Sequence, residues 1–261
     1  MEIFGFFSAL LIGLILGLIG GGGSILTVPI FVYLLGISPL VATAYSLFVV
    51  GTTALVGAIS NHKKGMVDVR TGFIFAVPAF IGVYVTRRYF LSLIPEDIFY
   101  ISSFLVTKDV AIMLFFSILM LAASFFMING RAEVSNTKLL NYNVPLLTLE
   151  GLVVGVLTGF VGAGGGFLII PALVFFAKLP MKKAIATSLM IISIKSLIGF
   201  IGDIQNFEID WFFLLSFTSI SVIGIFLGIY FSKFINENKL KKVFGWFVFL
   251  MALFIIIKEL I

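Results

Sequence analysis

Eight apolar segments joined by short polar connections make up nearly all of this 261-residue chain. A helix needs about 20 apolar residues to cross the hydrocarbon core of a bilayer. Hydrophobic residues form 61% of the chain and charged residues only 11%, against about 25% charged residues in soluble domains, so no water-facing shell could cover such a core. The sequence therefore predicts an all-α, polytopic helical membrane protein. In chain order the segments are Ile3–Gly36, Pro39–Asn61, Thr71–Leu93, Val110–Asn129, Val144–Ala177, Ala184–Ile204, Trp211–Ser232 and Val243–Ile257.

The formal net charge of +5 does not indicate a nucleic-acid partner. Lys and Arg residues stand singly or in pairs at the ends of apolar segments, as they do in membrane proteins, and no basic stripe with interleaved aromatic residues occurs. The absence of cysteine excludes disulfides, thiolate metal sites and thiol nucleophiles. Because the amino terminus lacks a basic region and a small-residue cleavage site, we expect the first segment to be retained in the bilayer.

The two halves of the chain repeat each other at one constant spacing, which we call the repeat offset. The pattern Gly13-x3-Gly17-x2-Gly20-x-Gly22-Gly23 returns as Gly155-x3-Gly159-x2-Gly162-x-Gly164-Gly165. The same offset carries Pro29 onto Pro171, Ala42-x-Ala44-x-Ser46-Leu47 onto Ala184-x-Ala186-x-Ser188-Leu189, and Asp68 onto Asp210. The sequence thus predicts two homologous four-segment halves, residues 1–129 and 144–261, joined by a linker, residues 130–143. Internal repeats of this kind are common in secondary transporters.

The first and fifth segments are each too long for one upright helix, and each contains a glycine-rich break. The breaks are Gly20–Ser24 and Gly162–Gly166; each glycine disfavours helix by about 1 kcal/mol relative to Ala. Irregular backbone at membrane depth is tolerated only where protein or a water-filled cavity satisfies it. We therefore predict a broken or a re-entrant helix in each half. Re-entrant breaks would invert the halves and place more Lys and Arg on one side; both options put both termini outside the cytoplasmic membrane.

The paired breaks are the strongest candidate for a substrate site. Half-helices that begin near Ser24 and Gly166 would present backbone N–H groups to an anion, although glycines can also serve close helix packing. The stretches of small and hydroxyl residues that open the next helix of each half suit either a ligand or a helix interface. The candidate substrate-binding residues are Gly20, Gly21, Gly22, Gly23, Ser24, Thr43, Ser46, Gly162, Gly164, Gly165, Gly166, Thr187, Ser188 and Lys195.

Lys195 lies in the middle of an apolar segment, and no Asp or Glu stands one helical turn away. An ionisable group at that depth costs roughly 2.5–3.5 kcal/mol on insertion scales and is a functional candidate by default. It could be the counter-charge for a bound anion; snorkelling or a pair with Asp203 are the alternatives. Among the other charged residues, Asp68 and Asp210 are expected to cap helices. Glu150 is open to interpretation as a proton site or a boundary residue.

The residue types do not favour an enzyme. The single histidine, His62, lies in a loop, whereas an intramembrane serine protease needs a Ser–His pair within its spans. An aspartyl protease needs two paired intramembrane Asp residues, and Gly199–Asp203 offers only one. No cluster of His, Cys or carboxylate residues predicts a metal site, and no cofactor is expected.

The duplicated glycine motif, Pro29, the Ala42-x-Ala44-x-Ser46-Leu47 stretch and the Gly65-x-Val67-Asp68 loop together resemble the TauE/SafE sulfite exporter family, over nearly the whole chain. The chain departs from its own first copy at Ala163 and Phe207, which stand at the positions of Gly21 and Gly65, and Pro95–Asp109 is longer than its counterpart.

The resemblance implies a carrier of the cytoplasmic membrane for small sulfur-containing anions such as sulfite, thiosulfate or organosulfonates. It implies secondary transport, often export, with a proton gradient as one candidate driving force. A passive anion channel is the alternative function, and a membrane scaffold for a partner enzyme is a third.

Overall fold

A computed structural model describes residues 2–90, 93, 95, 97–101, 104–129, 144–161, 166–204 and 208–260. Within these residues the chain forms ten α-helices and one short antiparallel hairpin, in which β1 (Asp97–Ile101) pairs with β2 (Phe104–Thr107). The predicted all-α fold is therefore confirmed. The helices are α1 (Glu2–Ile19), α2 (Ser24–Pro29), α3 (Pro39–His62), α4 (Val69–Val85), α5 (Lys108–Asn129), α6 (Val144–Val161), α7 (Gly166–Phe175), α8 (Met181–Asp203), α9 (Trp211–Ser232) and α10 (Glu237–Leu260).

Five helices in the described part of the chain are long and apolar enough to cross a membrane. Shorter apolar helices cover Gly5–Ile19, Ser24–Leu34 and Val144–Phe160, and α10 contains the eighth apolar segment between charged ends. The polytopic membrane class follows from these lengths, because each candidate span has the roughly 20 apolar residues that a bilayer requires. The five candidate spans are Pro39–His62, Val69–Phe90, Val110–Asn129, Met181–Asp203 and Trp211–Ser232.

The break in the first segment reverses the direction of the chain. Gly20–Gly23 forms a 3-10 turn that opens with Gly20 at φ +68°, a left-handed conformation that favours glycine. A Cβ atom placed on Gly23 would collide with the backbone of Leu16, although residues seven apart in a continuous helix are about 10 Å apart. Farther back, a Cβ atom on Gly5 would lie 3.2 Å from the Leu35 side chain. α1 and Ser24–Leu34 therefore form a helical hairpin whose two open ends lie close together.

The second arm of the hairpin consists of α2 and the irregular helical turn that follows it. Pro29 closes α2, and Ile30–Leu34 follows as one π-helical turn, in keeping with the backbone donor that proline removes. In the second half, Gly162, Gly164 and Gly165 lie outside the described residues. Gly166, the last residue of that predicted break, is the first residue of α7.

The principal helix pairs all join one half of the chain to the other. α1 packs on α9, α4 on α6, α3 on α8 and α5 on α10. In lipid there is little hydrophobic drive between helices, so association depends on close van der Waals packing and interhelical hydrogen bonds. The stretches 2–129 and 144–260 are thus interleaved and bury their faces against each other.

Glycines let these pairs approach to backbone contact, and the contacts recur at the repeat offset. A Cβ atom on Gly13 would collide with the carbonyl oxygen of Ser221, and one on Gly155 would collide with that of Ala79. The offset that carries Gly13 onto Gly155 also carries Ala79 onto Ser221, so the two contacts are equivalent. It relates two further pairs of helix-contact glycines as well, Gly17 with Gly159 and Gly82 with Gly224. This recurrence is what a duplicated chain with related halves would produce.

The polar ends of the helices divide between two faces of the bundle. Lys64 after α3, Lys182 in the first turn of α8 and Lys233 after α9 line a single cavity, and we call this side the lysine face. At the opposite side stand Arg88, Lys108 and Lys258. Most described basic residues near helix ends belong to the lysine face: Lys63, Lys64, Arg70, Lys178, Lys182, Lys183, Lys233, Lys239 and Lys242.

Adding a methyl group to the contact glycines should destabilise the bundle. We expect Gly13→Ala and Gly155→Ala each to lower the free energy of unfolding by about 1–3 kcal/mol, the usual cost of overpacking, because the added carbon meets a carbonyl oxygen. Gly202→Ala is the matched control, since a Cβ atom there has no heavy atom within 4 Å. Thermal unfolding in detergent measures the difference. Equal melting temperatures for all three variants would contradict the close approach.

Candidate anion site

The first break rests on α8. The backbone N–H of Gly21 donates a hydrogen bond to Oγ of Ser188 over 3.3 Å, and the O–H of Ser188 donates to the carbonyl of Ile185 over 2.8 Å. A Cβ atom on Gly20 would lie 3.0 Å from the Ile185 side chain. Ser188 is fully buried, so its hydroxyl supplies an acceptor to irregular backbone that lipid could not satisfy.

The first break also touches the start of α7. A Cβ atom on Gly21 would collide with the backbone of Gly166, and one on Gly166 would collide with the backbone of Gly21. No other residue type fits either position without moving the chain. The structure therefore brings Gly20, Gly21, Gly166 and Ser188 into one cluster, which we call the break cluster.

Ser24 is a further member of the break cluster, because its side chain bonds to the backbone of Gly21. Its side chain is fully buried, and its Oγ donates to the carbonyl of Gly21 over 2.6 Å. This bond closes the turn across which the hairpin reverses. Gly22 lies within the same turn, and Gly23 packs on α1.

Lys195 is buried two helical turns beyond Ser188. Only 1% of it is exposed, and its Nζ donates to the hydroxyl oxygen of Thr158 on α6 over 2.9 Å. Thr158 in turn donates to the carbonyl of Gly155 over 3.2 Å. Two turns of helix place Lys195 about 10 Å from Ser188 and nearly on the same helix face. The ammonium group thus points into the interior of the bundle and does not snorkel to its surface.

Thr158 was not predicted as a partner of Lys195, because the only partner that the sequence suggested was the carboxylate of Asp203. The hydrogen bond runs to this hydroxyl, whereas Asp203 stands at the far end of α8. A neutral partner leaves the positive charge uncompensated by this contact. The sequence feature that could have predicted this bond is the position of Thr158 one turn after Gly155. A glycine there lets a neighbouring helix come close to the Thr158 hydroxyl.

Ser46 does not join the break cluster. A Cβ atom on Gly51 would lie 3.0 Å from Leu197, and one on Gly57 would lie 3.1 Å from Leu189, so α3 and α8 run antiparallel. Ser46 in the first part of α3 and Ser188 in the first part of α8 consequently lie toward opposite faces. Within the described part of the chain, the buried hydroxyl of Ser46 has no hydrogen-bond partner.

Thr43 and Thr187 make contacts that support the fold. Thr43 donates to the carbonyl of Leu40, one turn back on α3, over 2.8 Å. The hydroxyl of Thr187 accepts a hydrogen bond of 3.0 Å from the backbone N–H of Asp68. That bond ties α8 to the start of α4 and places Thr187 on the lysine-face side of Ser188.

Asp68 and Asp210 cap the next helices, as the sequence predicts. The Oδ1 atom of each accepts a hydrogen bond of 3.0 Å from the backbone N–H three residues on, the usual N-cap geometry. The backbone N–H of Asp210 donates to the hydroxyl of Tyr45 over 2.8 Å. The repeat offset carries Tyr45 onto Thr187, so the two braces are equivalent by position.

Glu150 on α6 is half-buried. Both of its carboxylate oxygens are buried and accept no hydrogen bond from the residues that the structure describes. A charged carboxylate without a partner is costly in such surroundings. The two readings of Glu150, as a proton site or as a boundary residue, both stay predictions.

Removing the Ser188 hydroxyl should loosen the break. In Ser188→Ala the buried N–H of Gly21 loses its acceptor, which costs about 1–3 kcal/mol. Ser193→Ala is the matched control, because Ser193 lies on the same helix and, among the residues that the structure describes, bonds to the Met190 carbonyl one turn back and not to the break. Amide hydrogen exchange across Gly20–Ser24 should accelerate in the first variant and not in the second. Unchanged exchange in both would show that Ser188 does not hold the turn.

Comparison with known proteins agrees with this architecture. The family model for the sulfite exporter TauE/SafE matches residues 5–255. A probable membrane transporter protein of Xylella fastidiosa strain 9a5c is 30% identical over 94% of this chain and 91% of its own. The probable membrane transporter protein YdhB of Bacillus subtilis is 27% identical over 89% of this chain and 91% of its own.

A partial match covers 42% of the chain, at 34% identity, with a probable membrane transporter protein of Methanocaldococcus jannaschii. No solved structure shows a significant match to the chain. The family match covers the break cluster, Lys195 and every long helix of the bundle. The chain therefore belongs to the sulfite exporter TauE/SafE family.

Proposed function

We propose that this protein is a secondary transporter that exports small sulfur-containing anions such as sulfite, thiosulfate or organosulfonates. The single observation that carries the proposal is Lys195, a buried ammonium group that bonds to the hydroxyl of Thr158 and lies about 10 Å along α8 from Ser188, which holds the first break. A positive charge in a place that lipid cannot reach suits a carrier for anions. The family name agrees with this ligand class.

The anion would bind between the break cluster and Lys195. The ligand would face the irregular backbone of the first break and the hydroxyl of Ser188, which accepts the N–H of Gly21 in the structure. Lys195 supplies the counter-charge from about two helical turns away, and Thr158 holds its Nζ in the absence of anion. Gly162, Gly164 and Gly165 stay proposed members of the same site. Ser46, Thr43 and Thr187 would act only at its margins.

Six helices, α3, α4, α5, α8, α9 and α10, would cross the cell membrane, with α1–α2 and α6–α7 as re-entrant hairpins. The positive-inside rule then places the lysine face in the cytoplasm and both termini outside. The two halves would be homologous and inverted, which the recurring glycine contacts support. Alternating access would come from the rocking of one set of packed helices against the other.

Neutralising Lys195 should abolish transport without unfolding the protein. In Lys195→Met the counter-charge for the anion is lost, and we expect the flux of ³⁵S-thiosulfate into proteoliposomes to fall at least about tenfold, the change that a loss of 1.4 kcal/mol in binding produces. Melting temperature should stay the same or rise, because the variant removes a buried charge. Lys258→Met, at the exposed end of α10, is the control and should transport normally. Wild-type flux in Lys195→Met would refute the site.

Counter-transport separates a carrier from a passive channel. If the protein is a carrier, proteoliposomes loaded with unlabelled thiosulfate should take up labelled thiosulfate faster than empty ones. The reason is that a binding site returns across the membrane faster when it is occupied, which speeds the transport cycle. A channel would show no such stimulation. An imposed proton gradient tests the coupling in the same vesicles, and flux independent of that gradient would remove protons as the driving ion.

A further inference from the structure

Three lysines converge on one cavity of about 300 Å³ at the lysine face. Lys64 comes from the turn after α3, Lys182 from the first turn of α8 and Lys233 from the end of α9. Asn61 and Ser232 add neutral hydrogen-bonding groups to the wall. Three separate elements thus place like charges around one opening, an arrangement that raises the local concentration of anions.

The charges of the three lysines repel one another, and a bound anion would relieve that repulsion. Partial burial and the charge of Lys233 both lower the pKa of Lys64. No carboxylate belongs to the lining that the structure describes. The cavity is therefore electropositive and has room for a small anion with some of its water.

The cavity leads to the break cluster. Its inner wall includes Gly17 and Ile185. Gly17 precedes Gly20 by three residues, and Ile185 both contacts the position of Gly20 and accepts the hydrogen bond of Ser188. An anion held by the lysines is consequently about one helical turn away from the first break.

The repeat does not supply an equivalent set of charges. The repeat offset pairs Lys182 with Leu40, Lys233 with Leu91 and Lys64 with Asn206. It also pairs Asn61 with Asp203, which adds a negative charge. The three lysines of the cavity are therefore a departure from the repeat.

We propose that the cavity lined by Lys64, Lys182 and Lys233 is a second anion-binding site, a loading vestibule that receives the sulfur anion at the lysine face and passes it to the break cluster. The proposal rests on the anion transport proposed above. It adds a cause for direction: the anion is captured efficiently from one face, the cytoplasmic one under the positive-inside rule, and leaves at the opposite face, away from this cavity.

The test compares the triple variant Lys64→Gln/Lys182→Gln/Lys233→Gln with Lys239→Gln, an exposed lysine at the same face that is not part of the lining. Uptake of ³⁵S-thiosulfate is measured in inverted membrane vesicles, which expose the cytoplasmic face, and in right-side-out vesicles. We expect the triple variant to raise KM about tenfold or more in inverted vesicles, with kcat nearly unchanged, since electrostatic capture changes encounter rates by 10–10³. Its salt dependence should also flatten.

An unchanged KM, an equal rise in both vesicle orientations, or the same rise in Lys239→Gln would overturn the vestibule. Lysines at a bilayer surface can instead hold anionic lipid headgroups. The measurement is therefore repeated in proteoliposomes of phosphatidylcholine with and without phosphatidylglycerol. An effect of the triple variant that appears only with phosphatidylglycerol would assign the lysines to lipid and also overturn the proposal.

Equilibrium binding separates this proposal from the central site. Titration of thiosulfate into the purified protein by calorimetry should show two sites in the wild type, the vestibule alone in Lys195→Met and the central site alone in the triple variant. Binding that persists in the triple variant and disappears in Lys195→Met would leave the central site standing and remove the vestibule. Persistence of binding in Lys195→Met together with wild-type flux would remove the central site instead.

Discussion

Backbone-to-backbone contact at glycine is the interaction on which the rest of this structure depends. α1 meets α9 through Gly13, and α6 meets α4 through Gly155, each against a carbonyl oxygen of the facing helix. Lipid tails are as apolar as leucine, so helices gain little from burying apolar side chains against each other, and close packing has to supply the association. The same device brings Gly21 against Gly166. A side chain at any of these positions would separate elements that must touch.

Close helix packing also determines the environment of Lys195, a residue whose burial in the bundle is energetically costly. Lys195 is fully buried, and its ammonium group bonds to a hydroxyl. Replacement of such a group by an apolar one commonly costs nothing in stability. The buried charge is consistent with the counter-charge role that we propose for Lys195.

The chain combines a repeated frame with unrepeated charges. Tyr45 and Thr187 brace the starts of α9 and α4 in equivalent ways, and the contact glycines recur with the same offset. Lys195, by contrast, corresponds to Thr53, and the lysines of the vestibule correspond to Leu40, Leu91 and Asn206. Positions that contribute to helix packing and capping follow the repeat, because the equivalent helices of both halves make the same contacts. Departures from the repeat carry the charges to which we assign substrate handling.

The amino-acid sequence by itself determined the membrane class, the place of the first break and the caps at Asp68 and Asp210, because these depend on local hydropathy and local backbone preference. It also singled out Lys195, since charge in an apolar segment is costly wherever the segment packs. Only the tertiary structure decided that the first break closes a hairpin, that Thr158 is the partner of Lys195 and that Ser46 and Ser188 lie toward opposite faces. Apolar patterning says that a helix lies in lipid and leaves its neighbours open. Those neighbours follow from the shape of the packed surfaces, which here depends on contacts between residues far apart in the chain.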